Sequence, residues 1–213
     1  GYEATGWTRD VRAYETVLNG AGVPIMPGDW DGRSVLKPGV ISDTGTFKMW
    51  YDGTGLLGEI QVGLATSDNG ITWTKAATNP VLSGTVGAWD AAPGEHAPFV
   101  LKEDGGYAMW YEGRDASGIR QLGYATSTNG LDWTKPFTAP VLAAGPNGYD
   151  QQGAAHGTVL HEGGTYKLWY HAMGDQGAII AYATSPDGVT WSKQGPSLTP
   201  QGGWDQHLWG PSV

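Results

Sequence analysis

The stretch Tyr107–Gly113, YAMWYEG, decides the fold, because the chain writes it three times. It returns as FKMWYDG over Phe47–Gly53 and as YKLWYHA over Tyr166–Ala172. The central tryptophans, Trp50, Trp110 and Trp169, stand 60 and 59 residues apart. Self-similarity at a fixed period marks a repeat architecture, so the rest of the chain is read in phase with it. A second phrase follows each copy: GLATSDNGITWTK at 63–75, GYATSTNGLDWTK at 123–135 and AYATSPDGVTWSK at 181–193. A third, NPVL at 79–82 and APVL at 139–142, closes the unit. Trp-Asp opens the next at Trp30–Asp31, Trp89–Asp90 and Trp204–Asp205, with Tyr149–Asp150 as the variant.

Each unit predicts four strands. Strand A runs around 37–42, 97–102 and 156–161, and a Gly-containing turn leads into strand B, which carries the Trp-Tyr phrase. Strand C is the apolar run ending in Ala-Thr-Ser. Asn69-Gly70, Asn129-Gly130 and Asp187-Gly188 then predict type I′ hairpins, whose two central residues need φ > 0. Strand D follows at 71–75, 131–135 and 189–193. Four antiparallel strands per ~60 residues, punctuated by Gly and aromatics, make a propeller blade. The expected fold is therefore all-β. It is a β-propeller with three complete four-stranded blades (30–88, 89–148 and 149–203), a partial blade at 1–29 and the inner strand of another at 204–213. An open ring would expose unpaired edges. Either residues 1–22 complete a reduced fourth blade, or chains complete one another in a homo-oligomer; the sequence leaves both open.

Composition agrees. Of 213 residues, 35 are Gly and 11 are Trp, and only 15% are charged, which fits short strands and tight turns rather than a helical bundle or a disordered chain. The absence of Cys excludes disulfides and thiolate metal sites. A net charge of −9 argues against nucleic acid, which needs a basic surface, and suits a sugar, another small molecule or a metal ion. No run of eighteen apolar residues is present, so no membrane-spanning helix or membrane partner is expected. A secreted or periplasmic location is expected over a cytoplasmic one.

In a propeller the start of strand A and the end of strand B lie on one face, where loops converge on the axis. Arg33, Lys37, Glu95, His96, His156 and His207 occupy the strand-A openings, and Asp52, Glu112 and His171 the strand-B ends. His161 falls at the opposite end of its blade. The repeat holds its Trp and Gly positions while these vary, as a shared asymmetric site requires. His96, His156 and His207, with His171 as a fourth group, are candidate ligands for one divalent ion, Zn, Mn or Ca. The alternative is neutral imidazoles satisfying strand-end hydrogen bonds. Glu95, Asp52 and Glu112 are candidates for acid–base work, which glycoside cleavage divides between two carboxyl groups. Arg33, Lys37 and Trp209 are candidates for substrate binding, and Trp30 and Tyr149 for stacking on sugar rings. The Asp repeated in every unit (Asp31, Asp90, Asp150, Asp205) reads as a turn or capping residue.

The phrases YKLWYHA, GYATSTNGLDWTK and NPVL…WD resemble the blade repeat of the five-bladed propeller glycosidases. That group includes the arabinanase- and xylosidase-like family 43, the invertase-like family 32 and the mannoside phosphorylase family 130. The resemblance covers essentially the whole chain. It implies a hydrolase with its site at the channel mouth, an Asp base and a second Asp on early inner strands, and a Glu acid on a middle one. The stretch Glu95-His96-Ala97-Pro98 is similar to the Glu-containing opening, so the resemblance makes Glu95 the acid. The Asp-Pro opening has no match: Leu36-Lys37-Pro38 carries Lys where the Asp would stand. Two function classes follow. One is a hydrolase, glycosidase-like or working through a metal-activated water on esters or phosphoesters; the other is a non-catalytic carbohydrate-binding or structural propeller.

Overall fold

A computed structural model of the chain describes residues 30–55, 57–91, 96–175, 177–202, 208 and 210–212. The stretches expected as partial blades, 1–29 and most of 204–213, lie outside the described residues. The first unit is β1 (Ser34–Asp43), β2 (Thr46–Thr54), β3 (Ile60–Ser67) and β4 (Thr74–Lys75), paired in chain order. The second is β5 (Phe99–Glu103), β6 (Gly106–Arg114) and β7 (Arg120–Ser127), its outer strand reduced to bridges at Thr126↔Thr134 and Leu122↔Leu142. The third is β8 (Gly153–Glu162), β9 (Thr165–Gly174), β10 (Gly177–Ser185) and β11 (Ser192–Leu198). Neighbours within each unit are antiparallel, and a parallel pair, Arg120↔Gly153, joins β7 to β8. This is the expected all-β propeller architecture.

The middle strands explain why the Trp-Tyr phrase is nearly invariant. β6 is buried from Tyr107 to Gly113, with consecutive residues hidden on both faces. That is the pattern of a sheet covered on both sides, here by its neighbouring blades. β11, by contrast, carries Pro196 and Lys193 and is largely exposed, as an outer edge should be.

The turns differ from expectation in an instructive way. Paired positive φ values occur at Thr44-Gly45 and Gly163-Gly164, between strands A and B. At the Asn-Gly turns only the glycines, Gly70 and Gly130, and likewise Gly188, have positive φ, so these are not type I′ hairpins. Asn69 Oδ1 instead accepts the N–H groups of Ile71 and Thr72, both at 2.9 Å, and Asp187 Oδ1 does the same for Val189 and Thr190. Such Asx caps make a longer loop, and strand D of the first blade starts only at Thr74.

The repeated Asp is a buried anchor. Asp31, Asp90 and Asp150 each accept from the strand-B Tyr (Tyr51, Tyr111 and Tyr170, at 3.0, 3.0 and 3.1 Å). Each also pairs with the strand-D Lys (Lys75, Lys135 and Lys193, all at 2.6 Å). One carboxylate thus ties the opening of a blade to its second and fourth strands.

A different set of contacts joins blade to blade. Trp50 Nε1 donates to Gly130 O at 2.9 Å, and Trp110 Nε1 to Gly188 O at 2.8 Å, each reaching the C–D turn of the following blade. The same indoles pack on Tyr107 and Tyr166, with centroids 5.7 and 6.0 Å apart. At the A–B turn Asp43 receives Tyr107 and pairs with Lys102, both of the next blade. Glu103 repeats this with Tyr166 and His161.

Candidate active site at the axial mouth

One backbone irregularity builds the mouth. Lys37, Ala97 and His156 have φ of 52°, 42° and 51°, and Gly210 has 39°. All four hold the same position in the repeat, where register shifts between Leu36/Gly39 and Ala155/Gly157 mark β-bulges. A left-handed conformation costs an L-residue about 1–2 kcal/mol, and a bulge re-aims a side chain away from the ladder. The result is that Lys37 and His156, two blades apart, meet: Lys37 Nζ lies 3.2 Å from His156 Nδ1. An ammonium can only donate, so Nδ1 accepts and the imidazole proton sits on Nε2. A Cβ at Gly210 would come 2.9 Å from His156 Nε2, so a side chain there would push the imidazole aside.

The strand-B ends surround this contact. Asp52 is fully buried and its Oδ2 accepts the backbone N–H groups of His96 and Ala97, each at 3.0 Å, splicing β2 to the opening of the next blade. Glu112, also buried, has Oε1 3.3 Å from Nε of Arg120. His171 is buried, and its pKa falls to about 4, mainly by desolvation and further by the charges of Arg120 and Lys37. His96 is buried too, with Nδ1 3.0 Å from Glu112 O and Nε2 3.0 Å from Ile60 O. Burial lowers its pKa against the pull of those carbonyls.

These shifts set a pH dependence. His171 titrates near 6.5 when unfolded and about 4 when folded, so the unfolded chain binds more protons between those values. Stability is complete above pH 6.5 and falls as pH drops toward 4. The urea midpoint is expected to be lower at pH 5 than at pH 7, and His171→Gln to flatten that slope.

The structure brings Lys37, Asp52, His96, Glu112, His156 and His171 to one end of three blades. Arg33 is exposed at the entry to β1, where its N–H bonds Thr54 O at 2.9 Å. Glu95, His207 and Trp209 lie outside the described residues. His96 does not suit a ligand role, because its two ring nitrogens lie 3.0 Å from the carbonyl oxygens of Glu112 and Ile60 and neither has an open approach for a cation. Among the described residues no group of three or more His, Asp or Glu is placed to hold a metal ion. Trp30 is not presented to a sugar either. Its ring packs 5.6 Å from Tyr51 and so closely over Gly53 and Gly63 that a Cβ at either would come within 2.4 Å. Arg120 was not anticipated. Its signal was available, since Arg120 stands where the first blade has the apolar Ile60.

No family model matches the chain. It is 28% identical to the Mycobacterium tuberculosis protein Rv1502 over 189 residues, 81% of this chain and 58% of that one. It is 29% identical over 167 residues to the A type blood N-acetyl-α-D-galactosamine deacetylase of Flavonifractor plautii, 67% of this chain and 21% of that one. The chain thus spans less than two-thirds of the length of either relative. Among solved structures it superimposes on a member of the family 130 mannoside phosphorylases and glycoside hydrolases that target β-1,2 mannosidic linkages in Candida mannan. There the TM-score is 0.63 and the identity 23%, over 81% of this chain and 54% of the other. A family 117 glycoside hydrolase of Zobellia galactanivorans matches with TM-score 0.66 at 17% identity, over 79% of this chain and 58% of that one. At these identities the likeness is one of fold: the chain has the β-propeller fold of the propeller glycosidases.

Proposed function

We propose that the chain is the propeller part of a hydrolase acting on a carbohydrate, with the axial mouth as its site. The observation that carries this reading is the Lys37–His156 contact, made by two strained, non-repeating residues from different blades. Strain at sparsely populated φ is kept where the surrounding structure enforces it, often at functional sites. Around it stand Asp52 and Glu112 as carboxyl groups and His171, a buried imidazole that is neutral at pH 7 and capable of hydrogen bonding to a substrate. Lys37 supplies a cation for charge that develops on a substrate oxygen.

Two bonds are open to such a site. The glycosidic bond needs a carboxylic acid, the role assigned to Glu95. The second reading, release of an acyl group from a sugar, is favoured by Lys37 standing where the glycosidase base would be and by the 29% identity to a sugar deacetylase. A metal-activated water is a further route, but His156 gives its Nδ1 lone pair to Lys37 and His96 faces carbonyls on both sides. These two imidazoles fit positioning and proton transfer better than ligation.

The test is a panel of aryl glycosides and N- and O-acetylated sugars, assayed with the full-length protein, with and without a chelator. Turnover of one class is expected, with a loss of about 10²-fold or more in His171→Gln and retained folding by circular dichroism. Glu95→Gln abolishes aryl-glycoside cleavage if that bond is the substrate and spares acyl release. Sugar binding with no turnover on any substrate would establish the non-catalytic alternative, and loss of activity on chelation would restore the metal route.

A further inference from the structure

The three blades differ by one lysine at the end opposite the mouth. In the first blade Lys48 leaves β2 and pairs with Asp43, Nζ to Oδ2 at 3.0 Å. In the third, Lys167 leaves β9 and pairs with Glu162 at 2.6 Å. The second blade keeps the carboxylate, Glu103, but has Ala108 where the other two have lysine. The next blade does not make up the charge. Asp43 also receives Lys102 from its neighbour, whereas the counterpart of Lys102 is His161, whose Nδ1 lies 3.6 Å from Glu103. Among the described residues no Lys or Arg pairs with Glu103.

A cavity of about 460 Å³ lies at this place, with Glu103, Asp104, Ala108, Tyr124, Thr126 and Asp132 in its wall. Ala108 pairs with Thr126, and Thr126 with Thr134, so short side chains share one face of the blade where a lysine stem would otherwise lie. Asp132 is particular to this blade: the first and third have Thr72 and Thr190 at its position. Among the described residues three carboxylates and no Lys or Arg line the cavity. Burial, and then the charges of Glu103 and Asp187, push up the pKa of the Tyr124 hydroxyl, as a negative potential there requires. Such a field draws a cation. It is not set up for a metal ion, since among the described residues no three His, Asp or Glu side chains are grouped to hold one. The volume is instead that of a small-molecule site, which spans roughly 300–1,000 Å³.

We propose that this cavity binds an organic ammonium of sugar size, an amino sugar with a free amine, whose charge sits beside Glu103 as the Lys48 ammonium sits beside Asp43. The scaffold supplies the precedent: in two blades of three, the same carboxylate position holds an ammonium from its own second strand. The ring hydroxyls have Thr126, Thr134 and Asp132 as partners, and Tyr124 offers an aromatic wall to the apolar face of the sugar. An N-acetylated sugar lacks the charge that Glu103 would answer. The site is at the other end of the blade from the mouth, so it does not depend on which bond the mouth cleaves.

Calorimetric titration of the full-length protein with glucosamine, N-acetylglucosamine and glucose tests this. Glucosamine is expected to bind about tenfold more tightly than either neutral sugar, the factor that a hydrogen bond to a charged group gives, and to bind more weakly as salt is raised. Ala108→Lys writes the residue of the other two blades into the second and is expected to abolish glucosamine binding, with the fold retained by circular dichroism. Asp132→Thr, again the residue of both other blades, changes an exposed position and is expected to weaken binding by about threefold, so the site stays testable if the lysine variant misfolds. His171→Gln, at the mouth, is expected to leave glucosamine binding as it is. The proposal is overturned by equal affinity for glucosamine and N-acetylglucosamine, or by no detectable binding of glucosamine. Parental affinity in a folded Ala108→Lys variant, or in Asp132→Thr, overturns it too. Loss of binding in His171→Gln would put the amine at the mouth and overturn it as well.

Discussion

Trp110→Ala is expected to lower the melting temperature of the protein by roughly 10 °C. The indole is 1% exposed and packs against both Tyr124 of its own blade, at 5.4 Å, and Tyr166 of the next, at 6.0 Å. Truncating a buried Trp to Ala costs about 3–5 kcal/mol, because the lost contacts leave a cavity the surroundings only partly fill. For a domain of this size each kcal/mol is about 2–4 °C. The hydrogen bond to Gly188 O is a separate and smaller part, about 1 kcal/mol, since folding exchanges it for one to water. Trp110→Phe isolates it and is expected to cost well under half of the alanine variant. Thermal unfolding of the two variants checks the partition. Equal shifts in both would mean that the N–H, rather than the volume of the ring, holds the second blade to the third.

The contact explains why this fold was legible in the sequence and why its turns were not. Trp50 and Trp110 must fill the same space in each junction, so they recur in phase and are found by inspection. The Asn-Gly pairs recur just as faithfully, yet they carry a different conformation from the one the dipeptide suggests. Gly130 is required to expose its carbonyl to two indoles, Trp50 and Trp133, at 2.9 and 3.0 Å. A tight two-residue hairpin has no loop long enough for that, and Asn129 instead caps the backbone two and three residues on. Tertiary demand overrode local preference, and nothing in the dipeptide itself encodes the demand.

The candidate site was legible by contrast rather than by motif. Lys37 and His156 stood out because the repeat varies where they sit. That they touch follows from the left-handed bulge, which no residue type announces: Lys, Ala and His all adopt it. Asp52 shows the limit of the same argument. It varies in the repeat as a site residue should, but its Oδ2 is held by two backbone amides of the next blade, a structural task as well. His96 differs from Leu36 and Ala155 at its own position and uses that difference to set its ring between two backbone carbonyls, one of which can take its single N–H, rather than to face a ligand.

Asp90→Ala should destabilise by about 3 kcal/mol or more, the cost of breaking a buried ion pair by removing one partner. Asp90 is 2% exposed and accepts from Tyr111 at 3.0 Å, from the N–H of Thr85 at 3.1 Å and from Lys135 at 2.6 Å. Alanine leaves a buried hydroxyl without its acceptor and an ammonium whose side chain is only 17% exposed. Lys135 also donates to Ser83 O and Thr85 Oγ1, so its charge is not stranded altogether, which keeps the loss toward the lower end. Desolvation alone would raise the Asp90 pKa, but Lys135 outweighs it and the value lies below the usual carboxylate range. A folded pKa below the unfolded one contributes stability that is present above about pH 4 and lost as pH falls through the folded value. The urea midpoint of the parent is therefore expected to fall toward that of Asp90→Ala on acidification. The double variant Asp90→Ala with Lys135→Met separates the charge from the hydroxyl, because replacing both members of a buried pair by apolar groups is often near neutral. Partial recovery in the double variant assigns the effect to Lys135; none assigns it to Tyr111 and Thr85. The same three residue types meet in the first and third blades through Asp31 and Asp150, so the anchor belongs to the scaffold. Its variants should change stability without altering the chemistry of the mouth, the reverse of what Lys37 and His156 should do.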